Sequence, residues 1–146
     1  MAMVKAVCVS ERKGEKKRPI ESIDVRRDGG VAGDAHGDDL KRQVSLLADE
    51  SVEKLRWALP GLAPGDFAEN ILTEGLVLCE LPIGSLLRIG DGVLLEMTQI
   101  GKECHEGCAI RQQTGDCVMP REGVFAKVVD EGTIRPGDAI EVVHHA

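Results

Sequence analysis

The sequence around Cys104 favours a reactive thiol. Lys102 and Glu103 precede this cysteine, and His105 and Glu106 follow it. A buried packing cysteine usually has apolar neighbours instead. The thiolate is the reactive form, and nearby cations lower the pKa of a thiol from about 8.5 toward neutrality. Lys102 and His105 can supply that positive field, while the two glutamates oppose it if they lie equally close. We therefore interpret Cys104 as the catalytic thiol of the chain.

The cysteines near Cys104 also raise the question of a metal site. Cys108 and Cys117 follow it, so three of the five cysteines of the chain fall in the segment Thr98–Arg121. Structural zinc sites usually contain paired C-x2-C knuckles, and a C-x3-C followed by a C-x8-C does not match that pattern. Cys108 or Cys117 can instead act as a resolving thiol if folding brings it near Cys104.

Two other chemistries use such a thiol. A cysteine hydrolase needs a base beside its nucleophile, which His36 or His105 would supply. Sulfur relay fits better, because exchange at sulfur needs an accessible thiolate and a reachable partner but no catalytic triad. Several basic residues are candidates for binding an anionic acceptor such as a phosphate-bearing cofactor: Lys41, Arg42, Lys102, Arg111 and Arg121.

Two further groups of polar residues are candidates for a binding pocket. Asp34 and His36 are two residues apart in a glycine-rich stretch, so in an extended segment they share one face and form an Asp–His pair or a polar pocket wall. The glycine spacing there matches neither the dinucleotide-binding pattern nor the P-loop. Glu69 and Asn70 follow a run of turn residues, where local capping and turn bonding also account for them.

The composition predicts a strand-rich single domain over residues 1–146. The chain has two phenylalanines, one tryptophan and no tyrosine, so its core must be built mainly of Val, Leu and Ile. Seventeen glycines and six prolines imply many turns, which favours short strands over a helical bundle.

Hydrophobic periodicity gives the element order. A helix is expected to begin with Asp49 as its N-cap and to run to Leu59, where Pro60-Gly61 stops it. Gly123–Val129 is a helix or a strand. Many short strands with one good helix predict a mainly β (α+β) barrel with a few helices. Strands are expected at Met3–Ser10, Ile20–Val25, Arg42–Leu47, Leu76–Leu78, Ser85–Ile89, Val93–Thr98 and Ala139–Val143.

Charge and hydropathy limit the classes of partner that the protein is expected to have. A net charge of −7 argues against nucleic acid, which requires a broad basic surface. No apolar stretch approaches the roughly 20 residues that cross a bilayer, and the N-terminal residues lack the apolar region of a signal peptide. We therefore expect a cytoplasmic protein with no membrane partner. Its five cysteines are then expected to be free thiols.

Several motifs, taken in their order along the chain, resemble the MOSC domain, which also forms the C-terminal end of molybdenum-cofactor sulfurases. The resemblance covers nearly the whole chain, and several motifs in one order are more specific than any single one. The matching segments are Gly30–His36, Gln43–Leu46, Gly65–Asn70, Leu81–Gly84, Leu95–Thr98, Lys102–Cys104, Arg121–Val128 and Gly132–Asp138.

The resemblance implies a β-barrel related to the pyruvate kinase barrel domain, with a cysteine proposed to carry sulfur at the position of Cys104. It also implies an association with molybdenum cofactor, a phosphorylated pterin, with His36, Glu69 and Asn70 at motif positions expected around the pocket. Two departures stand out. Ala68 replaces a more typical glycine, and the approach Ile100–Glu103 lacks the arginine and prolines of many relatives.

The resemblance leaves three functions open. The first is a sulfur carrier for the cofactor, acting as a sulfurtransferase. The sequence contains no pyridoxal-phosphate domain, so a separate cysteine desulfurase is expected to load Cys104, and a molybdoenzyme is expected as a further protein partner. The second is a cofactor-binding module in which Cys104 ligates molybdenum. The third is a reductase component that acts on N-hydroxylated bases.

Overall fold

Strands dominate the described part of the chain. The computed structural model describes residues 2–10, 17–32, 34, 43–56, 60–67, 69–100 and 123–144. Two short helical elements accompany the strands, α1 (Asp49–Glu53) and a 3₁₀ helix at Leu78–Glu80. The strands are β1 (Ala2–Val9), β2 (Arg18–Ile20), β3 (Ile23–Arg26), β4 (Gly30–Val31), β5 (Val44–Ala48), β6 (Ile71–Glu74), β7 (Leu86–Ile89), β8 (Val93–Ile100), β9 (Val124–Asp130), β10 (Gly132–Ile134) and β11 (Ala139–His144).

Seven of the described strands close into a barrel. Their order is β11-β7-β8-β9-β5-β6-β1, and pairing of Ala2 with Ile140 and of Met3 with Ala139 joins β1 back to β11. Neighbouring barrel strands are antiparallel except β5 and β6, which run parallel. Closure pairs the edges that an open sheet would expose. The mainly β barrel with few helices predicted from the sequence is confirmed.

A smaller sheet, in the order β10-β3-β4, packs against the barrel. The buried side chains of Ile23, Val25, Val31 and Ile134 belong to the same apolar cluster as the barrel interior. The prediction of one strand over Ile20–Val25 is therefore wrong. The chain bends after Ile20 and passes from the barrel, where β2 pairs with β1, into the second sheet.

Two separate apolar clusters stabilise the barrel. A register shift in β1 between Val4 and Ala6 places Val4 and Val7 in the interior cluster but Ala6 and Cys8 in the second cluster. Such a bulge adds one residue to a strand and so changes which face the later side chains occupy. The second cluster lies under α1 and the Phe67 turn. Its buried members are Ala6, Cys8, Leu47, Val52, Leu55, Phe67, Leu72 and Phe125.

Helix α1 differs from its prediction at both ends. Its N-cap is Ala48, which makes no side-chain capping bond, and Asp49 is the first helical residue. The Asp49 carboxylate instead accepts hydrogen bonds from Lys5 and Arg56, each at 2.7 Å. Regular helix ends at Glu53, and residues 54–56 continue as turns.

Two further segments can be compared with their predicted secondary structure. Gly123–Val129, which the sequence left open, is strand β9 in its described extent. The strand expected at Leu76–Leu78 is wrong, because β6 ends at Glu74 and Gly75 adopts a positive φ of 83° that leads into the 3₁₀ helix. No helix in the described ranges is long and apolar enough to span a membrane.

We expect that replacing Thr73 by valine stabilises the protein. Thr73 in β6 is fully buried, and its hydroxyl has no hydrogen-bond partner among the described residues. An unsatisfied buried hydroxyl costs about 1–3 kcal/mol, so Thr73→Val should raise the free energy of unfolding by about 1 kcal/mol in urea titration. The matched control is Thr98→Val, whose hydroxyl donates to the Phe125 carbonyl at 3.2 Å and whose loss should destabilise. Equal destabilisation by both substitutions would show that the Thr73 hydroxyl is bonded after all.

Candidate functional site

Backbone hydrogen bonds line up residues of four strands, together with Asn70 just before β6, at one end of the barrel. Gln99 of β8 pairs with Phe125 of β9, and Phe125 pairs with Ser45 of β5. Next to Ser45 lies Asn70, whose backbone N–H donates to the Ser45 carbonyl at 2.9 Å and whose carbonyl accepts from the Cys8 N–H at 2.7 Å. We call this line of five residues the cross-strand row. It fixes the relative positions of segments that are far apart in sequence.

The strand ends that precede and follow the Cys104 segment in sequence lie beside this row. Ile100, the last residue of β8, pairs with Val124, the first residue of β9, so the two strands that the segment 101–122 connects in sequence are paired at the residues next to it. Leu46, which follows Ser45 in β5, pairs with Val124 as well. Cys104 itself lies outside the described residues.

Asn70 joins three neighbouring strands through its side chain. Its Oδ1 accepts hydrogen bonds from the backbone N–H and the hydroxyl of Ser45, at 3.0 and 3.1 Å, and its Nδ2 donates to the Cys8 carbonyl at 3.1 Å. Asn70 is buried, so these contacts replace the water that its amide would otherwise bind. The side chain therefore holds β1, β5 and β6 together at the barrel end.

Glu69 is a buried carboxylate that binds the turn before it. Its two oxygens accept the backbone N–H groups of Gly65 at 2.8 Å and Phe67 at 3.2 Å. Burial and, after it, the nearby Asp66 charge raise the pKa of Glu69 to about 7, although the backbone donors act in the opposite direction. This geometry matches the turn bonding that the sequence suggested for Glu69.

Asp34 forms a buried ion pair that the sequence did not predict. Its Oδ1 accepts a hydrogen bond from Lys17 Nζ at 2.7 Å and another from the Ser10 backbone N–H at 3.0 Å. The Lys17 and Asp34 side chains are 1% and 0% exposed, so water screens neither charge. Lys17 Nζ also donates to the Ser10 hydroxyl at 3.2 Å.

Lys17 connects this ion pair to the turn that Glu69 binds. Its backbone N–H donates to the Gly65 carbonyl at 2.9 Å. Gly65 has a φ of +91°, and a Cβ at this position would lie 1.9 Å from the Lys17 carbonyl oxygen, so only glycine permits this approach. Asp34 and Glu69, both predicted around a pocket, thus belong to one buried network, and Asn70 follows Glu69 directly in sequence. Their described polar contacts are with protein groups.

Several predicted site residues lie outside the described part of the chain. They are Cys104, His36, Lys102, Arg111 and Arg121. Sequence reasoning missed Lys17, because a lysine in a polar, lysine-rich stretch carries no signal that separates a buried cation from a surface one. It also missed Ser10 and Ser45, whose roles depend on contacts between distant segments.

Cys8 has the environment of a structural thiol. It is fully buried in the second apolar cluster. Burial, aided by the negative charge of Glu69, raises the pKa of the Cys8 thiol to about 12, and the Lys17 charge offsets only part of this shift. The thiolate is therefore scarce near neutral pH, and Cys8 acts as a small core residue.

An open cleft of about 490 Å³ lies along β8 and β9. Arg27 and Lys127 bring positive charge to it, and Glu96 lies 3.8 Å from the Lys127 ammonium. No group of three or more His, Cys, Asp and Glu side chains able to hold a metal ion occurs within the described ranges. The full lining is Arg27, Gln43, Ile83, Glu96, Met97, Thr98, Lys127 and Val128.

Comparison with known families identifies this barrel. A family model described as MOSC domain matches residues 32–141, most of the chain. The chain belongs to the MOSC domain family. MOSC domains are associated with molybdenum cofactor. The matched residues include the candidate cysteine and the Asp34, Glu69 and Asn70 positions. No curated protein gave a match in sequence.

Solved structures share the fold of this MOSC domain. The YuaD protein from Bacillus subtilis has a TM-score of 0.80 and 17% identity, covering 96% of this chain and 94% of that one. YiiM from Geobacillus stearothermophilus has a TM-score of 0.73 and 17% identity, covering 99% of this chain and 76% of its own. YiiM from Escherichia coli has a TM-score of 0.67 and 19% identity, covering 99% and 71%. At these identities the likeness establishes the fold.

We expect Glu69→Gln to flatten the pH dependence of stability between pH 5 and 7. The pKa of Glu69 rises from 4.5 to about 7 on folding, so folding favours its protonated form. The contribution of Glu69 to the free energy of unfolding is therefore fully present below pH 4.5, and it falls by roughly 3 kcal/mol as the pH rises to 7. Urea unfolding across this range measures the slope, and Glu80→Gln, at an exposed position, is the control. A Glu69→Gln slope equal to that of the parent protein would refute the shift.

Proposed function

We propose that this MOSC domain carries sulfur for molybdenum cofactor as a persulfide on Cys104. The observation that supports the proposal is the pairing of Ile100 with Val124, because the segment that contains Cys104 is inserted in sequence between these two residues. The pair lies next to the cross-strand row, which includes Asn70. The chain on either side of the segment is therefore held by strand pairing, and functional groups need such support to act.

Loading of Cys104 is a thiol–persulfide exchange. The Cys104 thiolate attacks the outer sulfur of a donor R–S–SH, forming a new bond from Cys104 Sγ to that sulfur as the donor S–S bond breaks. The donor leaves as the thiolate R–S⁻, and the proton stays on the transferred sulfur, so no oxidant or reductant is required. The donor class is the persulfide of a cysteine desulfurase. Lys102, next but one in sequence, favours the thiolate form.

The buried polar residues serve this site by positioning the backbone around it. Asp34 holds the strand end at Ser10, Glu69 holds the turn at Gly65, and Asn70 holds three strands together. Their side chains bond protein groups, so their contribution to cofactor binding would pass through the backbone they fix. His36, Lys102, Arg111 and Arg121 remain the proposed side-chain contacts to the phosphorylated pterin.

Molybdenum cofactor, when bound, would supply the metal centre that accepts sulfur. The described residues fit its phosphorylated end by charge and size, since two cations against one carboxylate, Glu96, line the 490 Å³ cleft, whose volume lies within the usual range for small-molecule sites. Metal ligation falls to Cys104, the one thiol for which we propose it. A molybdoenzyme is the proposed final recipient.

The expected result is that Cys104→Ser abolishes sulfur loading. Incubation with a persulfide-loaded cysteine desulfurase should leave stoichiometric, cyanide-labile sulfane sulfur on the parent protein, measured as thiocyanate after desulfurase removal. Cys79→Ser, which alters another free cysteine, is the matched control and should load normally. Absence of labile sulfur on the parent protein, or equal loading of Cys104→Ser, would rule out the carrier role. Co-purified molybdenum and pterin without sulfane sulfur would support the alternative in which Cys104 ligates the metal.

A further inference from the structure

The cleft along β8 and β9 contains a guanidinium without an ionic partner among the described residues. The Arg27 backbone is fixed at both ends of its peptide, because its N–H donates to Glu131 Oε2 at 2.9 Å and its carbonyl accepts from Gln43 Nε2 at 2.8 Å. No carboxylate of the described chain pairs with its guanidinium group. The residue is exposed, so an anion that enters the cleft can reach it. A planar fork of N–H donors suits phosphate and carboxylate oxygens.

Gln43 gives this cleft a rigid wall. It is 2% exposed, and while its Nε2 binds Arg27, its Oε1 accepts the Val128 N–H at 2.8 Å. One side chain therefore ties the Arg27 backbone to β9, next to Lys127. The backbone segments that carry the two cations are thus linked by a buried amide.

Lys127 is the second cation, and its only described carboxylate contact is weak. Glu96 Oε2 lies 3.8 Å from its ammonium, beyond hydrogen-bond distance, and both side chains are substantially exposed. Such surface pairs contribute little. An anion with better geometry can therefore compete with Glu96 for Lys127. Two cations and one carboxylate, Glu96, line the cleft, so its lining is net positive in a chain of net charge −7.

We propose that this cleft binds the phosphate group of a small phosphorylated ligand, with Arg27 and Lys127 as its contacts. The identification of that ligand with the phosphorylated pterin rests on the proposed function. Thr98 and Glu96 line the same cleft, and Thr98 is two residues from the end of β8, about 7 Å along an extended strand. A ligand held here would lie near the base of the segment that contains Cys104.

The test is to titrate the intact protein with inorganic phosphate at constant ionic strength and to monitor binding through the chemical shifts of the backbone amides. Arg27→Gln and Lys127→Gln should each weaken phosphate binding by about fivefold, the effect of one unit charge at roughly 4 Å in water. Glu96→Gln should tighten binding, because it removes the carboxylate that competes for Lys127. The control is Arg135→Gln, an exposed arginine that does not line the cleft.

Parent-like phosphate affinity in both Arg27→Gln and Lys127→Gln would overturn the proposal. An equal loss in Arg135→Gln would overturn it too, because it would show only the general effect of surface charge. The titration does not involve Cys104, and sulfur loading of Cys104 needs no phosphate. Failure of the cleft proposal therefore leaves the carrier role standing, and failure of the carrier role leaves the cleft proposal standing.

Discussion

The buried ion pair between Lys17 and Asp34 is the contact on which the site geometry depends. Two opposite charges out of water must stay paired, because removing one partner typically costs 3–5 kcal/mol. Exposed pairs such as Lys5–Asp49, in which the lysine is 41% exposed, contribute only about 0–1 kcal/mol. The buried pair also joins three segments that are distant in sequence: the end of β1 at Ser10, the turn at Gly65 and the strand-following residue Asp34.

Strand pairing in the barrel brings further residues to the same end of the molecule. Parallel pairing of β5 with β6 brings Ser45 next to Asn70, and antiparallel pairing with β9 brings Phe125 next to Ser45. The cysteine-bearing segment 101–122 is inserted between β8 and β9 at this same end. Cys8 is buried in the second apolar cluster, which raises the pKa of its thiol to about 12, whereas charged residues flank Cys104 in the sequence.

Periodicity and turn residues were enough to predict the barrel, but contacts between residues far apart in the chain could not be predicted from the sequence. The alternation in β1, β8 and β11 predicted those strands within two residues. Ile20–Val25 reads as one strand because alternation cannot reveal that the chain changes sheets at a bend. Asp49 looks like an N-cap, yet Lys5 and Arg56, brought in by folding, bind its carboxylate. The resemblance predicted His36, Glu69 and Asn70 around one pocket, and spacing predicted Asp34 on a pocket wall. The ion pair of Asp34 to Lys17 instead depends on a contact across 17 residues that no local pattern encodes.

A double-mutant cycle on Lys17 and Asp34 tests most directly whether this pair holds the site together. We expect Lys17→Met and Asp34→Asn each to lower the free energy of unfolding by about 3 kcal/mol or more, because each leaves a buried group without its partner. The double variant should lose much less than the sum of the two, giving a large coupling energy in urea unfolding. Additive losses of less than about 1 kcal/mol each, as for an exposed pair, would contradict the account.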